Sequence, residues 1–134
     1  ETIANALNVR ITHFFDDQTK PDSIVMRKDE RKKIYSQGSR AIIQPLAHEL
    51  SKKKIEPFML TLEVGGESGK HPYSSHHGEE FGIILQGKIK FTLEDRNYTL
   101  IDGDSVYFNS TKPHKWENVG KKEAIIILVI PGIS

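Results

Sequence analysis

Three side chains in this sequence have the types and spacing to do chemistry together: His76, Glu80 and His114. The first two belong to the stretch 71–87, H-P-Y-S-S-H-H-G-E-E-F-G-I-I-L-Q-G, which holds three of the six histidines. A histidine and a glutamate four apart, at the mouth of an apolar strand, make half of a metal or ligand site. If the strand begins near Glu80, the side chains of Glu80 and Gly82 face one way, and Phe81 and Ile83 the other. Gly82 would then leave space beside the carboxylate. His114 follows one hairpin and two turns later. Two imidazoles and one carboxylate are the ligand set of a mononuclear divalent metal: iron, manganese, zinc or nickel. Tyr107 and Trp116 are candidates to line the same pocket for a small-molecule effector, although aromatics in a small barrel more often build core. His77, adjacent to His76, points the other way on an extended strand and reads as a rim group. His13 and His48 are isolated and carry no assignment.

Such a site needs a scaffold, and the remaining pattern supplies one. Phe58, Leu60 and Leu62 alternate with Met59, Thr61 and Glu63, the period of a half-buried strand. Ile89, Phe91 and Leu93 alternate likewise with Lys88, Lys90 and Thr92. Further strand-like runs are Ser23–Met26, Ile34–Ser36, Arg40–Pro45, Pro57–Val64, Tyr98–Ile101, Ser105–Phe108 and Ala124–Ile130. Asp95, Arg96 and Asn97 supply turn chemistry, as does Asp104 after Gly103. Short strands punctuated this regularly, without helical periods between them, predict an all-β antiparallel sandwich or barrel.

The totals narrow the function. The chain has 134 residues and no cysteine, which excludes disulfides, thiolate metal sites and cysteine nucleophiles. A net charge of +1 gives no field for nucleic acid or anionic lipid. No apolar run approaches the ~20 residues of a membrane helix, and no signal-peptide pattern is present, so a cytoplasmic location is expected.

Residues 1–15 differ in character from the rest of the chain. Ile3 and Leu7 sit four apart with Ala4 and Ala6 beside them, the pattern of a short amphipathic helix. The polar run 16–22, D-D-Q-T-K-P-D, reads as a linker. The leader E-T-I-A-N-A-L-N-V-R-I-T-H-F-F resembles the end of a helix-turn-helix domain of the phage-repressor-like (XRE) type. The expected organisation is therefore a helix-turn-helix remnant over 1–15, a linker over 16–22 and a sensor domain over 23–134, all part of a longer protein.

The barrel has a resemblance of its own. His76, Glu80 and Gly87 keep the places of the first cupin motif. Gly103, Asp104, His114 and Asn118 keep those of the second. The chain resembles a cupin over about Arg40 to Pro131, which implies a double-stranded β-helix. The wording H-x-G-E-E-F-G-x-x-L-x-G, then Y-x-L-x-x-G-D-S-x-Y-F-x-S, then P-H-x-W-x-N, is similar to the C-terminal sensor domain of XRE-family transcriptional regulators. One departure stands out. The first motif histidine falls on Ser74, a poor ligand for a divalent metal, so the usual three-histidine-plus-glutamate set is incomplete.

The resemblance supports two readings. The first is a non-enzymatic sensor: a small-molecule effector binds at His76, Glu80, His114, Tyr107 and Trp116, and operator DNA is bound by the N-terminal domain of a homodimer. The second is an iron oxygenase or epoxidase using His76, Glu80 and His114 as a facial triad. A known iron-dependent epoxidase of a hydroxyalkyl phosphonate couples the same two domain types, and Lys90 is a candidate cation for such a substrate. A cupin with no DNA role is a third possibility, which a helix-turn-helix upstream would settle against. The closer motif wording favours the regulator.

Overall fold

The structure, a computed structural model, describes residues 24–69, 72 and 77–132. The leader over 1–15, the linker over 16–22, and His71, Tyr73, Ser74 and His76 lie outside the described residues.

Among the described residues nine antiparallel strands form two sheets: β1 (Ile34–Ser36), β2 (Ala41–Pro45), β3 (Ile55–Leu62), β4 (Glu79–Gln86), β5 (Ile89–Leu93), β6 (Arg96–Leu100), β7 (Ser105–Asn109), β8 (His114–Asn118) and β9 (Ala124–Pro131). The large sheet runs β1-β2-β3-β9-β4-β7 and the small one β6-β5-β8. This is the expected all-β jelly roll. Among the described residues the only helical elements are single 3-10 turns at Lys28–Glu30 and Leu50–Lys52.

Alternation decides which side chains go inside. Phe58, Leu60 and Leu62 of β3, Ile84 of β4, Ile89 and Phe91 of β5, and Ile126 and Leu128 of β9 fill the space between the sheets. Each fully buried side chain of this size contributes about 1.5–3 kcal/mol relative to exposure. Strand β9 closes the fold, because it lies between β3 and β4 and so joins the early strands to the site-bearing ones.

Two turn devices fix the ends of β4 and β5. Gly87 has φ +109, a conformation that costs a side-chain-bearing residue dearly, and its N–H donates to Oδ1 of Asp102 at 2.8 Å. Asp104 acts as the turn residue expected: its Oδ2 accepts from the Ile101 N–H at 2.8 Å. Gly103 N–H in turn donates to the Ile84 carbonyl at 2.7 Å, which ties the start of the second motif to the end of the first.

Several expectations need correction. Residues 24–26 are not a strand. They run beside the barrel, where the buried His48 donates from Nε2 to the Val25 carbonyl at 3.0 Å and so pins the segment with a side chain instead of a ladder. The β5–β6 turn is Glu94–Asp95, with Glu94 at φ 55, and Arg96 and Asn97 already belong to β6. Strand β3 begins two residues earlier than its proline suggested, at Ile55.

Candidate functional site

Glu80 and His114 meet inside one end of the barrel. Glu80 is the second residue of β4 and pairs with Phe108 of β7, while His114 opens β8 on the opposite sheet. Both are 5% exposed. Nε2 of His114 lies 3.5 Å from Oε2 of Glu80. The imidazole packs edge-on against Phe108, with ring centroids 4.7 Å apart.

The backbone fixes the histidine's chemistry. Nδ1 of His114 lies 2.8 Å from the carbonyl oxygen of Lys112. A carbonyl only accepts, so Nδ1 carries the proton, and the neutral ring presents a lone pair at Nε2. That lone pair faces Glu80. Burial pushes the Glu80 carboxyl up to about 7, opposed in part by the nearby Ser110 hydroxyl. The same burial lowers His114, opposed by the Lys112 carbonyl. Ser110 is itself fully buried, yet its Oγ is not aligned for a full hydrogen bond with any group.

These facts test the fit of a metal. Once Glu80 ionises, an acceptor oxygen faces an acceptor nitrogen across 3.5 Å. Such a pair is repulsive unless a cation lies between: a shared proton, or a metal. Two ligand bonds of about 2.1 Å at an open angle span about 3.5 Å, so the gap suits a first-row divalent ion. The Lys112 carbonyl behind the ring is the usual support of a metal-binding histidine. Glu80 and His114 therefore fit as two ligands. The third expected ligand, His76, lies outside the described residues, as does Ser74. Among the described residues no cluster of three metal-binding side chains exists.

The other expected residues are placed as follows. Trp116 shares the inner face with His114 but is core: it is 2% exposed, with its centroid 4.5 Å from that of Phe91. The space that Gly82 was expected to leave beside Glu80 is taken by this indole, since an added Cβ at Gly82 would sit 2.5 Å from Cη2 of Trp116. Tyr107 does not line the pocket. It neighbours Phe108 in β7 and so points outward, where it is 68% exposed and donates its hydroxyl to Glu79. That bond and the charge of Glu79 raise the phenol above its usual range. Lys90 faces outward too, near Glu117 at 3.9 Å. His77 is exposed.

Asn118 ends the second motif without touching the site. Its Nδ2 is within 3.0 Å of the Leu62 carbonyl, 3.2 Å of Glu63's and 2.9 Å of Lys122's, and its Oδ1 accepts from the Gly120 N–H at 2.9 Å. It latches the end of β8 to the end of β3.

Sequence reasoning missed Glu56. It is 0% exposed on β3 and pairs with Ile130 of β9. The β9–β4 register, with Gly82 opposite Leu128, places Ile130 beside Glu80. Glu56, Ile130, Glu80 and Phe108 thus form one row across the inner face. The signal was available: the alternation of Phe58, Leu60 and Leu62, continued two residues back, puts Glu56 inside. Ser110 and the Lys112 carbonyl left no such signal, because neither lies in a periodic element.

Comparison with known proteins agrees with this architecture. The model of the Cupin_2 family, the cupin domain, matches residues 58–130. The HTH-type transcriptional regulator PuuR of Escherichia coli is 26% identical over 121 residues, covering 88% of this chain and 63% of the regulator. The chain thus spans a little under two thirds of the curated relatives it matches first. Among solved structures, the cupin domain of an XRE-family transcriptional regulator from Enterobacter cloacae superposes with a TM-score of 0.61 at 20% identity, covering 71% of this chain and 99% of that one. Hydroxypropylphosphonic acid epoxidase from S. wedmorenis gives a TM-score of 0.67 at 20% identity, with 84% of this chain and 61% of that one covered. With a family match over more than half its length, a two-sheet jelly roll, and Glu80 and His114 facing each other at one end, the chain belongs to the cupin family.

Proposed function

We propose that this barrel is the small-molecule-sensing domain of a DNA-binding transcriptional regulator. The observation that carries the reading is the extent of the match to PuuR, which covers 88% of this chain. That match extends beyond residues 58–130 of the family match, and the leader over 1–15 separately resembles the end of a helix-turn-helix domain. The regulator would act in the cytoplasm as a homodimer, with operator DNA held by the N-terminal domain. His76, Glu80 and His114 would hold the effector's polar end, directly or through a divalent metal, above a floor made by Trp116. Tyr107, pointing outward, is left out of that set. Binding changes DNA affinity only as far as the effector prefers one dimer geometry. Among the described residues no helix is long and apolar enough to cross a membrane.

The test uses the full-length protein and duplex DNA from upstream of its own gene, followed by fluorescence anisotropy. Specific binding at about 10⁻⁸ M or tighter is expected, at least roughly a thousandfold above random duplex. The Glu80→Gln variant should bind DNA equally well yet lose its response to the effector. Absence of any sequence preference would sink this reading.

The facing of Glu80 and His114 also supports an iron(II) oxygenase as the alternative, since the epoxidase shares the fold. One observation weighs against a phosphonate substrate. Among the described residues no lysine or arginine is buried, whereas Glu56 and Glu80 both are. Oxygen consumption on iron loading, with a phosphonate present, would reverse the preference.

A further inference from the structure

The turn from Asn109 to Lys112, between β7 and β8, supports both members of the facing pair. The Asn109 side chain draws this turn tight. Its Oδ1 accepts from the Thr111 N–H at 2.9 Å and from the Thr111 hydroxyl at 2.7 Å, and the Lys112 N–H donates to the Asn109 carbonyl at 3.1 Å. On one side of the turn the Lys112 carbonyl takes Nδ1 of His114. On the other stands Ser110. It is buried two residues after the buried Phe108, which pairs with Glu80, and its N–H donates to the Gly78 carbonyl at 3.0 Å. Ser110 is therefore a diagonal neighbour of Glu80 on the inner face. Its hydroxyl offsets part of the effect of burial on that carboxyl, yet Oγ is fully buried and makes no aligned hydrogen bond. A buried hydroxyl in that state costs stability that an alanine would not. The unmade bond points to a state of the site in which it is made.

We propose that Ser110 is a positioning residue of this site: once a cation fills the gap between Glu80 and His114, its hydroxyl donates to Oε1 of Glu80 and holds the carboxylate to one ligating oxygen. The inference rests on the reading of Glu80 and His114 as two ligands of one site. It does not depend on a DNA role.

Three features of the site carry this. Oε2 is the oxygen that faces Nε2 of His114, so Oε1 is the one left to accept. Ser110 is neutral, so its donation favours the ionised carboxylate without supplying a charge that would compete with the cation. The turn also sets the Ser110 donor and the Lys112 acceptor together, so one short piece of backbone aims both ligating atoms. The consequence is a choice of ligand geometry. A carboxylate tied at one oxygen binds through the other alone and suits a first-row ion at about 2.1 Å. A carboxylate free at both oxygens can chelate a larger ion.

The test titrates the whole chain with cobalt(II) against a competing chelator at one fixed pH, and follows urea unfolding of the metal-free chain beside it. Ser110→Ala should bind cobalt(II) about tenfold more weakly, or worse. Its metal-free form should unfold at the same urea concentration as the wild type or at a higher one, because the hydroxyl it loses has no full partner there. A serine that only fills space would give the reverse, lost stability with unchanged affinity. The visible spectrum of bound cobalt(II) should also change, since a carboxylate released at Oε1 can add a second oxygen to the metal. Ser68→Ala is the contrast. Ser68 is buried too, but its Oγ accepts from the Trp116 N–H at 3.0 Å, so this variant should lose stability and keep its affinity. Equal cobalt(II) binding by wild type and Ser110→Ala, an equal loss in both serine variants, or a loss of stability in Ser110→Ala would overturn the inference and leave the Glu80–His114 site standing. A wild-type chain that takes up no cobalt(II) would overturn the metal site and the inference together.

Discussion

Nε2 of His114 points at Oε2 of Glu80 from 3.5 Å, with Nδ1 of the same ring committed to the Lys112 carbonyl. The pair therefore has a fixed hand: a nitrogen lone pair faces a carboxyl between two buried side chains. A proton suits that gap at low pH and a divalent ion suits it at higher pH. The two compete for the same place.

The competition sets a stability profile for the metal-free chain. Glu80 rises from 4.5 in the unfolded chain to about 7 in the folded one. The folded state thus holds a proton that the unfolded state has released, and stability falls as pH climbs from 4.5 through 7. His114 is shifted down, so its contribution rises with pH up to its ordinary value of 6.5 and is flat beyond. Above 6.5 only the Glu80 slope remains. Glu80→Gln removes that slope. In urea unfolding, the variant should gain roughly 2 to 3 kcal/mol on the wild type between pH 5 and pH 8. An unchanged gap would show that Glu80 is not held protonated.

Metal affinity should follow the same proton. A divalent ion must displace it, so affinity should climb by up to about tenfold per pH unit below 7 and level off above. His114→Ala removes a ligand outright and should cost at least roughly a hundredfold. Titration with cobalt(II) or iron(II) against a competing chelator reads both effects. A binding curve indifferent to His114→Ala and to pH would place any metal elsewhere.

How much of this was legible in the sequence depends on whether a residue sits in a periodic element. Alternation put Phe58, Leu60, Leu62, Ile89 and Phe91 inside, and the two motifs picked out Glu80 and His114 across 34 positions. Residue type alone misplaces Tyr107; its neighbour Phe108 takes the inward position, and one step along a strand reverses the face. Glu56 escapes notice because Pro57 has the character of a strand's first residue, which hides the two positions before it. Nothing in the pattern reveals that Trp116 fills the space beside Gly82, since that contact joins opposite sheets. The Lys112 carbonyl is a backbone atom, and no side-chain motif encodes it.

That cross-sheet contact yields its own prediction. An alanine Cβ at position 82 would meet Cη2 of Trp116 at 2.5 Å and Leu128 at 3.2 Å. The indole is wedged against Phe91 and cannot retreat freely. Gly82→Ala should destabilise by about 1–3 kcal/mol through overpacking. The sequence has one tryptophan, so its fluorescence reports the displacement directly. An unshifted emission spectrum with unchanged stability would mean that the indole is not seated against Gly82.

Asn118 closes the second motif, and its role separates fold from site. The side-chain amide faces the carbonyls of Leu62, Glu63 and Lys122, while its oxygen accepts from Gly120. Every group it meets is backbone. Asn118→Ala leaves those carbonyls without their donor and should cost about 2–4 kcal/mol. Asn118→Asp is the sharper probe. A carboxylate nearly matches the amide in size but has no N–H, so it would set a buried negative charge against three carbonyl oxygens. It should destabilise more than alanine despite filling the space. Metal affinity, measured well below the unfolding temperature, should stay within about threefold of wild type in both variants, since neither touches Glu80 or His114. Aspartate tolerated better than alanine would mean that shape, and not donation to those carbonyls, is what Asn118 provides.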